Sequence, residues 1–110
     1  MINSICWLVT RPIGVELSAL GIRSAWATHQ FGVDTKLVFA DEGVGCLLGA
    51  PGYHTNMLTE LMEQEGEVFC IRESLEKCRI GQDRILSGVQ VIDADDLPDL
   101  LEDCETVNSF

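Results

Sequence analysis

Apolar residues recur along this chain in short continuous runs, and the stretches between the runs show helical spacing. Residues 4–10 are nearly all apolar, with β-branched and aromatic members, which is typical of a strand buried on both faces of a parallel sheet. Similar runs at 35–40, 67–70 and 89–92 predict three more strands, and 106–110 predicts a short last one. The pattern therefore predicts a sheet of about five strands.

The intervening segments predict helices. Residues 15–31 and 53–65 carry apolar side chains every three to five positions, and Gly32 and Gly66 follow as stop signals. Shorter helices are predicted at 72–78 and 94–102, with Asp93 as the N-cap of the second. A loose helical turn is expected at 41–48, and a loop at 49–52. Strands that alternate with helices predict an α/β fold, a single domain with a mostly parallel sheet flanked by helices.

Length and composition limit the class of protein. A chain of 110 residues suffices for one domain, and 46% apolar residues indicate a folded globular protein. No apolar run reaches the ~18 residues that a membrane span needs. The first residues show neither a basic region nor a signal core, so we expect a cytoplasmic protein without a membrane partner.

The net charge of −11 argues against direct binding to nucleic acid, which needs basic groups that displace counterions. Seven acidic residues and no basic one lie at 93–105, on a face that is either solvated or able to dock a basic partner. Four of the seven basic residues lie at 72–84. The acidity is therefore uneven along the chain.

The cysteines do not form a recognisable framework. Their number, five, is odd, their spacings are wide, and only two histidines accompany them, which argues against structural disulfides and against a closed zinc site. The segment Gly43-Val44-Gly45 lacks the third glycine of a dinucleotide fingerprint. We therefore expect neither a metal nor a cofactor, and a flavin or nucleotide binder is the least favoured class.

Cys70 is the main candidate for chemistry. It ends the third predicted strand and precedes a helix, and ligands of open α/β sheets bind at the carboxyl ends of strands. A helix N-terminus and Arg72 nearby would favour the reactive thiolate and hold an anionic persulfide. A buried strand cysteine that acts as a small apolar side chain is the alternative. Both interpretations stay open at this point.

Three further residues are possible auxiliaries: Cys78, Cys46 and His54. If the segment after Cys70 is helical, Cys78 lies on the order of 12 Å from it, too far for a disulfide. Cys46 borders a glycine-rich segment next to the same sheet edge, and His54 begins a predicted helix. Packing for the two cysteines and solvation for the histidine are the alternatives.

Four segments, in this order, resemble the DsrE/DsrF/DsrH (TusD/TusC/TusB) sulfur-relay superfamily. They are Phe39-Ala40-Asp41-Glu42-Gly43-Val44 with its following Leu pair, Val68-Phe69-Cys70 with Ser74-Leu75-Glu76-Lys77, the stretch 85–92, and the ending 105–110. The likeness covers nearly the whole chain and is greatest to the DsrF/TusC-like branch. Lys77-Cys78-Arg79 stands where the family usually has an Arg-Gly pair. The resemblance implies a DsrE/YchN-like fold.

The resemblance also implies a function. A member of this superfamily carries persulfide sulfur on a cysteine, here Cys70 with Arg72 beside it, or scaffolds a partner that does. It implies a homo-oligomer, or a hetero-oligomer with DsrE-like and DsrH-like subunits, that exchanges sulfur with donor and acceptor proteins and serves sulfur oxidation or tRNA thiolation. The alternative is a non-catalytic oligomeric interaction module of the same fold, in which the cysteine is structural.

Overall fold

The fold is an alternation of strands and helices in the order that the sequence predicts. The computed structural model describes residues 4–12, 14–49 and 52–110, so that Ala50 and Pro51 of the predicted loop lie outside the described residues. The elements of the described chain are β1 Ser4–Val9, α1 Glu16–Gln30, β2 Asp34–Phe39, α2 Tyr53–Glu63, β3 Glu67–Ile71, α3 Arg72–Lys77, β4 Gln90–Ile92, α4 Leu97–Glu102 and β5 Thr106–Ser109.

The five strands form one sheet in the order β4-β3-β2-β1-β5, and every pairing in it is parallel. The predicted α/β domain with a parallel sheet of about five strands is therefore confirmed. Parallel neighbours need a crossover that lies on a face of the sheet, so both faces are covered, and the central strands β1, β2 and β3 are apolar over most of their length. Within the described residues, no helix combines the length and the apolar character needed to cross a bilayer.

Two apolar clusters lie on opposite faces of the sheet, because successive strand residues point to opposite sides. On one face, Val9, Phe39 and Cys70 pack with residues of α1, α2 and α3. On the other face, the cluster contains Cys6, Val38, Ala40, Phe69 and Ile71, and α4 covers it with Leu97, Leu100, Leu101 and the following Cys104. The result is three layers with the sheet in the middle.

Two short helical predictions differ in detail from the structure. The turn expected at 41–48 is a 3₁₀ helix, Asp41–Leu47, whose Val44 and Leu47 are fully buried. The helix predicted at 94–102 begins as a 3₁₀ turn, Ala94–Asp96, and continues as α4, with Pro98 in its first turn. Proline lacks the N–H that a helix interior needs, so it is tolerated only near a helix start.

Gly43 lies where the 3₁₀ helix passes the end of β1, and a Cβ there would overlap the carbonyl oxygen of Val9. We expect Gly43→Ala to lower the free energy of unfolding by ~1–3 kcal/mol, because the backbone must move to admit the methyl group. Gly45→Ala is the matched control, since a Cβ at Gly45 meets no atom within 4 Å. Urea unfolding of both variants checks this; an equal effect would contradict the close approach.

Candidate functional site

A cleft of about 690 Å³ opens at the carboxyl edge of the sheet, beside the ends of β1 and β2 and the end of α3. We call it the carboxyl-edge cleft. Its lining comprises Thr10, Arg11, Pro12, Asp41, Glu42, Lys77 and Cys78. A smaller hollow of about 370 Å³ shares Thr10, Asp41 and Lys77 with it and extends towards α4 over apolar residues that include Ile71 and Leu97. The cleft thus lies at the carboxyl edge of the sheet, where ligands of open α/β sheets bind.

Cys78 is the cysteine that reaches this cleft. All five cysteines lie in the described part of the chain, and of them only Cys78 is exposed. It follows the last residue of α3, and its Sγ donates a hydrogen bond to the carbonyl oxygen of Asp41 at 3.6 Å. The thiol is therefore held at the rim of the cleft, next to Lys77 and within reach of another molecule.

Cys70 lies elsewhere. Its side chain is fully buried among the residues between the sheet and the layer of α1 and α2, and it does not belong to the lining of the cleft. Burial raises the pKa of the Cys70 thiol to about 11, because a thiolate loses its hydration there. The thiol is thus protonated at neutral pH, and a protonated thiol is a poor nucleophile.

The side chain of Arg72 is 40% exposed and is engaged by acids rather than by a thiol. Its Nε donates to Asp93 at 2.6 Å and its Nη1 to Glu76 at 2.6 Å. The hydrogen bond to Asp93, followed by the one to Glu76, raises the pKa of the Arg72 guanidinium. Arg72 therefore joins α3 to the residue that follows β4. The predicted roles of Cys70 as sulfur carrier and of Arg72 as the cation beside it stay predictions. The position of Arg72 between two acids gives no electrostatic support to a thiolate at Cys70.

The other two predicted auxiliaries also lie outside the cleft lining. Cys46 is buried in the 3₁₀ helix, and burial raises its pKa to about 11, while a hydrogen bond with Ser18 opposes that shift. His54 lies in the first turn of α2, and it is partly buried. The structure thus brings neither of them together with Cys78.

Asp41 and Arg11 are site residues that the sequence reasoning missed. Asp41 follows β2 after one residue and has a φ of 51°, and its N–H donates to the Ser74 Oγ at 2.9 Å. This bond fixes the start of the 3₁₀ helix against α3, so the carbonyl of Asp41 faces Cys78. The signal that could have found both residues is their place just after the ends of β1 and β2, where parallel strands present their loops to one edge.

No group of three or more His, Cys, Asp and Glu side chains converges as a metal site requires in the described ranges 4–12, 14–49 and 52–110. The cleft instead offers two cations, Arg11 and Lys77, two carboxylates, Asp41 and Glu42, and one thiol. Such a set suits thiol exchange with a second molecule better than it suits metal binding.

The sequence profile of the DsrE/DsrF-like family matches residues 3–110. The fold is similar to the crystal structure of the ychN protein from E. coli, with a TM-score of 0.84, 20% sequence identity and 100% of both chains covered. It is also similar to MTH1491, a protein of unknown function from Methanobacterium thermoautotrophicum, with a TM-score of 0.79, 17% identity, and 98% of this chain and 99% of that one covered.

At these identities the two structures show the shared fold alone, and a comparison with curated proteins finds no match. The family profile carries the assignment, since it spans nearly the whole chain. The resemblance to the sulfur-relay superfamily that the motifs indicated is thereby confirmed, and this chain belongs to the DsrE/DsrF-like family.

Proposed function

We propose that this protein is a sulfur-relay subunit that receives persulfide sulfur on a cysteine at the carboxyl-edge cleft and passes it on. Membership of the DsrE/DsrF-like family supports the class of function. The observation that carries the choice of residue is the exposure of Cys78 in the cleft, while Cys6, Cys46 and Cys70 are buried. A thiol that exchanges sulfur with another protein must be reached by that protein, and Cys78 meets this requirement.

The chemistry is a thiol exchange in two equivalent steps. The Cys78 thiolate attacks the outer sulfur of a persulfide on the donor protein, and a new S–S bond forms as the donor's S–S bond breaks. The donor leaves as a thiolate, and Cys78 holds the sulfur as an anionic persulfide. A thiolate of the acceptor protein then attacks that outer sulfur and releases Cys78.

The charges around the cleft suit such an intermediate. The whole chain carries a net charge of −11, which opposes an added anion. In the cleft lining, Arg11 and Lys77 balance the carboxylates of Asp41 and Glu42, so the local formal charge is zero. An anionic persulfide therefore meets less repulsion here than over the acidic face at 93–105.

Cys70 remains the alternative carrier. For Cys70 to exchange sulfur, the layer that covers it must open, and its proton must be removed against a pKa of about 11. Arg72 would then have to leave Asp93 and Glu76 to reach the persulfide. These three costs make Cys78 the better supported carrier, and the experiment below separates the two thiols.

A second candidate function is a non-catalytic interaction module. It is favoured by the packing of Cys70 within the core and by exposed apolar side chains of a kind that interfaces use, namely Leu17, Leu20, Phe31, Leu48 and Val107.

In either role, the partners we propose are further copies or DsrE-like and DsrH-like subunits, in a cytoplasmic assembly that serves sulfur oxidation or tRNA thiolation. The DsrF/TusC-like branch is the position we propose within it.

Intact mass after incubation with a protein persulfide donor tests the carrier. We expect the wild-type chain to gain the mass of one sulfur atom, which dithiothreitol removes. Cys78→Ser should lose this gain almost completely, because its hydroxyl cannot accept sulfane sulfur, while Cys70→Ala should keep it. Circular dichroism at the same temperature confirms that each variant is folded.

The opposite pattern, a gain kept by Cys78→Ser and lost by Cys70→Ala, would assign the sulfur to Cys70 and overturn our choice of residue. No gain in the folded wild type with DsrE-like and DsrH-like subunits present would refute the relay role and favour the interaction module. Size-exclusion chromatography of the same mixtures then reports whether the chain still assembles with those subunits.

A further inference from the structure

Cys6 and Cys104 meet on the face of the sheet that α4 covers, away from the cleft. Cys6 lies in β1, fully buried, and its side chain points towards α4. Cys104 lies in the connection between α4 and β5 and packs against the same cluster. In the register of β1 with β5, Cys6 lies opposite Val107, three residues beyond Cys104. The chain thus brings together two thiols that are far apart in sequence.

The two thiols lie close enough to influence each other. After burial, the neighbouring Cys104 raises the pKa of the Cys6 thiol, whereas Cys6 opposes the rise that burial causes in the pKa of Cys104. The Cys104 Sγ donates a hydrogen bond to the carbonyl oxygen of Leu100 at 3.7 Å. The amino group of Lys36, from the neighbouring strand β2, also favours the thiolate of Cys104. Cys104 is only partly buried, whereas Cys6 is inaccessible. Of the two, Cys104 is therefore the one that a small oxidant reaches.

We propose that Cys6 and Cys104 are a modification site, a dithiol that hydrogen peroxide closes to a disulfide between β1 and the α4–β5 connection. In the first step, the Cys104 thiolate attacks one oxygen of the peroxide, an S–O bond forms as the O–O bond breaks, and hydroxide leaves, so that Cys104 becomes a sulfenic acid. In the second step, the Cys6 sulfur attacks the Cys104 sulfur and the S–O bond breaks. The sulfenic oxygen leaves as water, with the proton of Cys6.

The arrangement makes the second step fast relative to the first. The Cys6 thiol belongs to the apolar cluster against which Cys104 packs, so no segment has to unfold before the bond forms. The first step is slow, because burial is the largest influence on the Cys104 thiol and raises its pKa despite Lys36. Asp34 and Asp103 act in the same direction as burial. The pair therefore responds to sustained peroxide rather than to traces.

The test uses the full chain carrying Cys78→Ser, so that the exposed thiol cannot form disulfides between molecules. The folded protein is treated with excess hydrogen peroxide for hours, free thiols are alkylated, and the protein is digested with trypsin. Cys6 falls in peptide 1–23 and Cys104 in peptide 85–110, because trypsin does not cleave between Arg11 and Pro12. We expect these two peptides to be linked and an intact mass lower by two hydrogen atoms.

Cys6→Ala in the same background gives a second readout. Without its partner, the Cys104 sulfenic acid persists and reacts with dimedone, so dimedone labelling of peptide 85–110 should rise several-fold over the parent. A wild-type digest controls for effects of the Cys78→Ser change. Peroxide treatment that oxidises Cys104 without linking 1–23 to 85–110, or dimedone labelling that does not depend on Cys6, would overturn the proposal. Neither outcome bears on sulfur transfer at Cys78.

Discussion

The free energy of unfolding is expected to fall steeply above pH 9, because three buried thiols keep their protons in the folded state. Burial raises the pKa of Cys70 and Cys46 from 9.0 to about 11, and burial together with Cys104 raises that of Cys6 to about 12. Below pH 9 these thiols are protonated in both states, and their stabilising effect is complete. As the pH rises to 11, the unfolded chain releases these protons and the folded chain does not, so stability is lost.

The expected slope is set by proton linkage. Each thiol that stays protonated only in the folded state lowers stability by up to about 1.4 kcal/mol per pH unit. For Cys70 alone, the full shift corresponds to about 2.7 kcal/mol, of which about 2 kcal/mol is lost between pH 9 and 11. Three such thiols together remove a large part of the free energy of unfolding, which is only ~5–15 kcal/mol for a domain of this size.

Urea unfolding at pH 7, 9, 10 and 11 measures this slope. Cys70→Ala should flatten it by up to about 1.4 kcal/mol per pH unit, because one of the linked protons is gone. The matched control is Val68→Ala, a buried residue on the same strand and the same face, which removes packing but no titrating group. It should lower stability equally at every pH. Identical slopes for Cys70→Ala and the wild type would contradict the burial of the thiol.

Replacement of Phe39 by alanine is expected to cost ~3–5 kcal/mol, a large part of the total stability. Phe39 is the largest of the fully buried side chains and lies on β2, in the middle of the sheet, where it packs under α1 and α2. Its removal leaves a cavity that the surrounding layers cannot close. The free energy gained by burying the ring is therefore lost, and the cavity adds a further cost. Thermal unfolding followed by circular dichroism should show a midpoint lower by ~15–30 °C.

Phe31 provides the matched control within the same chain. It is 87% exposed at the end of α1, so Phe31→Ala removes the same atoms without leaving a cavity. We expect a change within ~0.5 kcal/mol for the isolated chain. Comparable losses in the two variants would show that the sheet does not have the burial described above.

Much of the fold follows from local features of the sequence. The apolar runs at 4–10 and 35–40 predict strands, the first of them buried on both faces, and the structure has β1 and β2 there because a parallel sheet is covered on both faces. The helical spacing at 15–31 and 53–65 predicts α1 and α2 within a few residues of their ends. The spacing predicts one helix at 94–102, whereas the structure has a 3₁₀ turn followed by α4. The choice between the two helix types depends on how Asp93 and Asp96 cap the start.

The site is less predictable, since it depends on contacts between distant residues. The alternation of strands and helices predicts a parallel sheet whose carboxyl edge is the expected place for a ligand, and the cleft is there. The nearest cation in sequence to Cys70 is Arg72, but Asp93 lies 21 residues further on and holds its guanidinium. No local pattern indicates that partner. Arg11, by contrast, could have been found from its place just after β1, because parallel strands present the loops at their carboxyl ends to one edge.

The sequence by itself determined the class of fold and the family, and it indicated the carboxyl edge of the sheet, because periodicity, turn residues and the order of short motifs can be read along the chain. Only the tertiary structure decided which thiol faces the solvent. Cys70 is the penultimate residue of a strand whose two faces are both covered, so the layer of α1 and α2 buries its sulfur, while Cys78 directly follows a helix that ends at the cleft. The contact of Cys6 with Cys104 arises the same way, since packing of α4 on the sheet brings together residues that are 98 positions apart.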